Sequence, residues 1–249
     1  LLDIGISSVI FILKSPNLRR GINRMIDKEK ELAGSKVSDF VKDGMILGLG
    51  TGSTFYYAIK RIGEIVKEGL KIKAVSTSSS TNKLAKSLNI PLLSIDDVDE
   101  IDLTIDGADE VDPDFNGIKG GGGALLFEKV VAKSSKQNLW VVNSAKMVDK
   151  LGKFPLPIEV VPYALGNVFK KLERKGYNPR IRMKDGEKYL TDSGNHIIDA
   201  SLGVIEDAYK LEIELNMIPG VVENGLFLDV VDIVIVGKDD GVEVIRRSS

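Results

Sequence analysis

Cysteine is absent from this sequence, and histidine occurs once, as His196. The first absence excludes disulfide frameworks, thiolate metal sites and a cysteine nucleophile. The second leaves any zinc site or serine, histidine and acid triad resting on a single ring. An excess of one charge is also missing. Against 36 Asp and Glu stand 34 Lys and Arg, a formal net charge of -2, and no long basic run offers a nucleic-acid footprint. The most apolar opening stretch, Leu1 to Leu13, contains Asp3 and is followed by Lys14, so it falls short of the ~20 apolar residues of a membrane span. No small-residue cleavage pattern of a secretory signal follows it. Residues 1–24 read as an extension, an expression remnant or translated upstream sequence, with the true start at Met25. Neither a membrane nor nucleic acid is an expected partner.

What is present is 249 residues, enough for one large unit or two smaller ones. From Met45 onward, short apolar runs ending in glycine or acid alternate with stretches of helical period, the pattern of a parallel sheet with crossover helices. Strands are predicted at Met45 to Leu49, Ile72 to Ser76, Ile101 to Asp106, Leu139 to Asn143 and Ile233 to Gly237. Helices are predicted at Thr54 to Lys67, Thr81 to Leu88 and Ala124 to Lys133. The fold class is therefore α/β, an open Rossmann-like parallel sheet. Between Ile158 and Val222 the rhythm becomes strand, helix, strand, strand, helix, strand, the split βαβ (ferredoxin-like) order of a smaller α+β domain. Phe154-Pro155-Leu156-Pro157 makes a stiff junction before it. The expected organisation is a catalytic unit of residues 25–156 and 223–249, interrupted by an inserted unit of residues 157–222. Apolar strands such as Ile158 to Val161 are expected to serve a subunit interface.

Four stretches carry chemistry. Gly48-Leu49-Gly50-Thr51-Gly52-Ser53-Thr54 stands where a strand ends and a helix begins. Glycine lets the backbone approach an anion, and the helix start supplies free amides and a favourable dipole, so the loop is a phosphate or carboxylate cradle. It lacks the Gly-Lys-Ser/Thr of a Walker loop and the dinucleotide spacing; the plainer reading is a capped strand-to-helix turn. A second hydroxyl cluster, Ser76 to Thr81, falls at the same sheet edge, either facing one crevice with the first or forming a polar loop that ends in an N-cap. Asp106-Gly107-Ala108-Asp109-Glu110 follows the third strand. Its carboxylates can accept sugar hydroxyls, shuttle protons with one pKa raised by repulsion, or hold magnesium; the alternative is an acidic turn.

The fourth stretch is Lys119-Gly120-Gly121-Gly122-Gly123-Ala124, leading into a helix that carries Glu128. Four successive glycines forgo much conformational entropy, which is explained where backbone must approach a ligand. Lys119 can neutralise an oxyanion or phosphate, while Glu128, in the helix's first turns, projects back toward the loop. A glutamate there is more commonly explained by the helix dipole. Lys146, after Asn143-Ser144-Ala145, brings a second lysine to the same edge, where the bland alternative is a solvated surface lysine. His196 receives no catalytic role, and Trp140 is a packing residue.

GLGTGST, DGADEVD, KGGGGALLFEK and SAKMVDKLGKFPLPIEV, in this order and at these separations, resemble type A ribose-5-phosphate isomerases across residues 25–246. The departures are a fourth glycine at Gly123, Asn143 and Ser144 at a variable spot, and the unmatched first 24 residues. The resemblance implies the sheet with its split βαβ insert. It also implies interconversion of ribose 5-phosphate and ribulose 5-phosphate in the non-oxidative pentose phosphate pathway, without metal or nicotinamide. Thr51, Gly52, Ser53, Thr54, Asp106, Gly107, Ala108, Asp109, Lys119, Gly120, Gly121 and Gly122 would line the substrate site, Glu128 would accept the proton and Lys146 would contact substrate. In that reading Lys119 and the Gly120 to Gly123 backbone steady the enediolate oxygen, and Asp106 and Asp109 hold hydroxyls and assist ring opening. The phosphate is shared between the Thr51 to Thr54 loop and the lysines. A cytoplasmic homodimer or homotetramer is expected. The competing readings are an enzyme like the CoA-transferases with a glutamate nucleophile, and a sugar-phosphate sensor that keeps the loops without the base. Retention of Glu128 and the absence of a basic helix-turn-helix segment before Met25 argue against the sensor.

Overall fold

Five apolar runs form the middle of one sheet in the computed structural model, which describes residues 16–247, with side chains from Arg24. Residues 1–15 of the expected extension lie outside the described residues. Strands β1 (Ile46–Leu49), β2 (Lys73–Ser76), β3 (Leu103–Asp106), β6 (Asn138–Asn143) and β14 (Ile233–Lys238) run parallel. Strand β15 (Gly241–Arg246) closes one edge as an antiparallel hairpin with β14, giving the order β15-β14-β6-β3-β1-β2. Every residue of β3 and β6 is buried, as expected of strands covered on both faces by crossover helices.

Helix α2 (Phe55–Lys67) buries Phe55, Ala58, Ile59 and Ile62, spaced to form one stripe. Helices α3 (Ser79–Ser87) and α4 (Leu125–Lys133) complete the crossovers next to β2 and β3. Helix α1 (Pro16–Ser35) runs through Met25 without a break and packs on α2, β6 and β14. Sequence periodicity does not reveal it, because charged residues dominate and its inward positions include Glu29 as well as Ala33. Among the described residues no helix is long and apolar enough to cross a membrane.

A second sheet combines β7 (Leu156–Val160), β8 (Pro179–Ile181), β11 (His196–Ala200) and β12 (Val221–Asn224) in the antiparallel order β12-β7-β11-β8. Counted within this sheet the order is 4-1-3-2, the arrangement a split βαβ produces. Helices α5 (Leu165–Arg174) and α6 (Ala208–Asn216) supply Val168, Leu172, Leu211 and Leu215 to a core shared with Ile158, Val160 and Ile198. Ile158 and Val160 are 0% exposed within the single chain, so this strand is unavailable as a subunit interface. Its apolar character is consumed by its own core. Two-residue strands β4 (Glu110–Val111), β5 (Gly117–Ile118) and β13 (Leu226–Phe227) make a small sheet that shares side chains with the cores of both larger sheets, and Phe227 meets Trp140 edge to face. Strands β9 (Met183–Lys184) and β10 (Glu187–Lys188) form a hairpin across Asp185-Gly186, both with positive φ.

Candidate active site

The chain leaves β1 toward β2 on one side and reaches β3 on the other, so the crevice beyond the carboxyl ends of β1 and β3 is a topological switch point. The Gly48 to Thr54 loop and the Asp106 to Asp109 turn both open there. Thr51 donates its amide to Asp106 Oδ1 at 2.9 Å. Its hydroxyl is turned away from the crevice, 2.8 Å from Ser78 Oγ and 2.9 Å from Thr77 Oγ1. Thr77 and Thr81 also donate to the carbonyls of Leu49 and Gly50. The second hydroxyl cluster is thus a buttress behind the first loop, and Ser78 caps α3 by accepting the Thr81 amide at 3.1 Å. Ser53 and Thr54, next to the start of α2, remain on the cleft wall.

Below the cleft lies a buried chain of charges. Lys119 Nζ is 2.9 Å from Asp106 Oδ2 and 3.5 Å from Glu128 Oε1, and the three side chains are 2–4% exposed. Asp106 Oδ1 also accepts the Gly107 amide at 2.7 Å. Lys119 donates to the Gly107 carbonyl and lies over the Phe227 ring. Glu128 Oε2 is buried with no hydrogen-bond partner. One cation between two buried carboxylates leaves negative charge in surplus. Burial, then the Asp106 and Asp109 charges, push Glu128 up to about 8, with Lys119 opposing them. Burial also raises Asp106, against the pull of Lys119 and two amides. Burial alone would lower Lys119, but Asp106, Glu128 and Asp109 together hold it above its ordinary value.

Asp109 accepts the Gly121 amide at 2.7 Å on one oxygen and faces Lys146 Nζ at 3.8 Å on the other. Thr51 to Thr54, Gly107 to Asp109, Lys119 to Gly122, Glu128 and Lys146 line one cleft. Asp106 is not on its wall, because both of its oxygens are occupied beneath the loops. Glu110 turns the other way, accepting the Gly152 and Phe154 amides at 2.7 and 2.5 Å. The acids of DGADE therefore diverge. Among the described residues no three His, Asp or Glu side chains are grouped to hold a metal ion.

A neighbouring hollow is lined by Ser53, Lys146 and Lys30, the last from α1. Glu29, beside Lys30, accepts the Ser144 hydroxyl at 3.1 Å and the Ser144 amide at 3.2 Å, fixing the turn that carries Lys146. Sequence reasoning misses Lys30 and Glu29, and the only available signal was a helical stretch adjoining the discounted residues. His196 lies outside the cleft, with Nδ1 2.8 Å from the Tyr189 carbonyl. Taken together, the cleft sets a buried carboxylate of raised pKa beside a lysine, a glycine loop and a helix start, groups whose chemistry is able to move a proton, steady an oxyanion and hold an anion.

The packing of the loop on Asp106 is close. A Cβ on Gly50 would fall 2.0 Å from Asp106 Oδ1. Gly50→Ala is expected to cost about 1–3 kcal/mol through overpacking; an unchanged denaturation midpoint would show that Asp106 yields freely.

Comparison with known proteins gives a consistent answer. The family model described as ribose 5-phosphate isomerase A (phosphoriboisomerase A) matches residues 73–241. The ribose-5-phosphate isomerase A of Streptococcus pneumoniae (strain Hungary19A-6) is 57% identical over 217 residues, covering 87% of this chain and 96% of that protein. A D-ribose-5-phosphate isomerase solved in complex with phospho-erythronic acid superposes with a TM-score of 0.86 at 44% identity, covering 89% of this chain and 99% of its own. The ribose 5-phosphate isomerase A of Methanocaldococcus jannaschii gives 0.83 at 41%, covering 88% and 98%.

Proposed function

Because the chain belongs to the ribose 5-phosphate isomerase A family and is an aldose–ketose isomerase, we propose that Glu128 is the single base carrying the proton between C2 and C1 of ribose 5-phosphate. The supporting observation is a buried carboxylate with one unpartnered oxygen, held up to about 8, on the cleft wall 3.5 Å from a lysine. Asp109, which faces the cleft, takes the ring hydroxyl and assists opening. Asp106, enclosed beneath, holds Lys119 rather than substrate. Ionised Glu128 removes the C2 proton of the open aldose, and the C–H electrons form the C1=C2 bond as the carbonyl electrons move to O1. Lys119 and the glycine-loop amides stabilise that enediolate oxygen. Return of the proton to C1, with the O2 proton passing to O1, completes the ketose.

The phosphate is assigned to the start of α2, with Ser53 and Thr54, and to Lys146 and Lys30 in the adjoining hollow. The phospho-erythronic acid held by the solved relative is, like ribose 5-phosphate, a short polyhydroxy chain carrying a phosphate. We also propose that residues 157–222 form a unit inserted between residues 25–156 and 223–249, a reading supported by their separate antiparallel sheet. A homodimer or homotetramer is proposed, using exposed apolar side chains such as Ile213 and Met217 rather than β7. The compartment proposed is the cytoplasm, where a doubly charged sugar phosphate is retained. Relatives 57% identical over 87% of the chain favour the isomerase over acyl transfer or sensing.

The test is incubation with ribose 5-phosphate in EDTA while ketose formation is followed. Chelator is expected to leave the rate unchanged, because the reading requires neither metal nor nicotinamide. A folded protein that forms no ketose would overturn the assignment, and loss of turnover on chelation would overturn the metal-free mechanism.

A further inference from the structure

The carbonyls of Gly120, Gly121 and Gly122 accept hydrogen bonds from side chains of the split βαβ unit. Arg182, between β8 and β9, donates Nη1 to the Gly120 carbonyl at 2.8 Å and to the Gly121 carbonyl at 3.2 Å. Tyr189 donates its hydroxyl to the Gly122 carbonyl at 3.4 Å. The guanidinium is itself fixed by Asp199 on β11, which accepts Nε at 2.9 Å and Nη2 on its other oxygen, and it lies over the Tyr189 ring. Arg182 is not on the cleft wall, and the three glycines it and Tyr189 hold are.

Each carbonyl shares a peptide plane with the amide of the next residue. The Gly120 carbonyl is joined to the Gly121 amide, which donates to Asp109 at 2.7 Å. The Gly121 carbonyl is joined to the Gly122 amide, and among the described residues that amide donates to no acceptor. A cation on the oxygen side polarises both planes, making each N–H a better donor, and forbids the peptide flips that four glycines otherwise permit. One plane then aims Asp109 and the other aims a donor at the cleft.

We infer that Arg182, held by Asp199, is a positioning residue for isomerisation, orienting and polarising the Gly120 to Gly122 peptides from outside the cleft. The inference rests on the reading that these amides face the reacting oxygens. Sequence inspection does not find it, because Arg182 lies some 60 residues from the loop it holds.

The full chain is compared with Arg182→Ala, Arg182→Lys and Glu128→Gln, measuring kcat and KM for ribose 5-phosphate with and without ethylguanidinium. Arg182→Ala is expected to lower kcat by ~10- to 100-fold, with KM within about threefold, since a donor displaced by about 1 Å loses transition-state more than ground-state contact. Ethylguanidinium restores part of that loss. Arg182→Lys stays impaired, because an ammonium cannot reach both carbonyls while holding both Asp199 oxygens; it carries the test if the alanine variant fails to fold. A kcat within about twofold of wild type in either arginine variant overturns the inference, as does a loss confined to KM. Turnover unmoved by ethylguanidinium overturns it too, being the result of general loosening. If these occur while Glu128→Gln is inactive, only the clamp is rejected; an active Glu128→Gln rejects the site reading and the clamp with it.

Discussion

Replacing Glu128 with glutamine is expected to lower kcat/KM for ribose 5-phosphate by ~10²- to 10⁴-fold, the range a positioned general base supplies. The substitution preserves shape, so the amide oxygen can still face Lys119 from the place of Oε1, 3.5 Å away. Lost is the ability to accept a proton from carbon. Substrate should still bind, because the anion cradle and Asp109 are untouched, and the loss should appear in kcat with KM little changed. A variant within about tenfold of wild type would remove Glu128 from the chemistry and shift attention to Asp109.

As the proposed base, the same residue is expected to set the pH behaviour. Glu128 is held at about 8 by burial and by the Asp106 charge, and in the proposed mechanism only its ionised form accepts the proton. Wild-type kcat/KM should therefore rise about tenfold per unit below pH ~8 and level off above, with the midpoint belonging to the coupled Asp106, Lys119 and Glu128 group. Stability runs in the opposite direction. Between the ordinary value of 4.5 and about 8 the folded protein holds a proton on Glu128 that the unfolded chain has lost, so stability falls as pH rises through that window. Glu128→Gln removes this term. The inactive variant should match or exceed wild type in thermal midpoint at pH 9, and a lower midpoint there would contradict the elevated Glu128 value.

Most of the sheet was legible because a parallel strand buried on both faces is a continuous apolar run, and its carboxyl end is where ligands bind. Gly48 to Thr54 and Asp106 to Asp109 could be placed at one edge on that rule alone, whereas Lys119 to Gly122 follows no predicted strand and was singled out by its run of glycines. The directions of side chains within that edge were not legible. Asp106 and Asp109 are three residues apart in one motif, yet one is enclosed by Lys119 and two amides while the other faces the cleft. Only the path of neighbouring loops decides this. Likewise Ser76 to Thr81 reads the same whether it meets a ligand or buttresses Thr51. Strands β4, β5 and β13 have two residues each, too few to show a period. Helix α1 hides its inward face because Glu29 is one of the buried positions, and with it went Lys30.

Lys119→Met is expected to be the most damaging single change, because it removes both the proposed oxyanion donor and the only cation ion-paired with Asp106 among the described residues. Methionine fills similar space, so little of the effect is packing. Asp106 would remain 2% exposed without its counter-charge, and breaking one side of a buried pair typically costs about 3–5 kcal/mol. Turnover should fall by a further ~10²- to 10³-fold even in the folded fraction, the usual loss for an oxyanion donor. The two effects separate by pH and by a second substitution. Without Lys119 the folded Asp106 rises further, so the folded state binds the extra proton and the deficit in stability shrinks as pH falls toward 5. Adding Asp106→Asn leaves a neutral pair that no longer demands a cation, and the thermal midpoint should recover at neutral pH while turnover stays lost. Recovery of both would mean that Lys119 serves the fold alone, and the enediolate oxygen would then depend on the Gly120 to Gly122 amides and on Arg182 behind them.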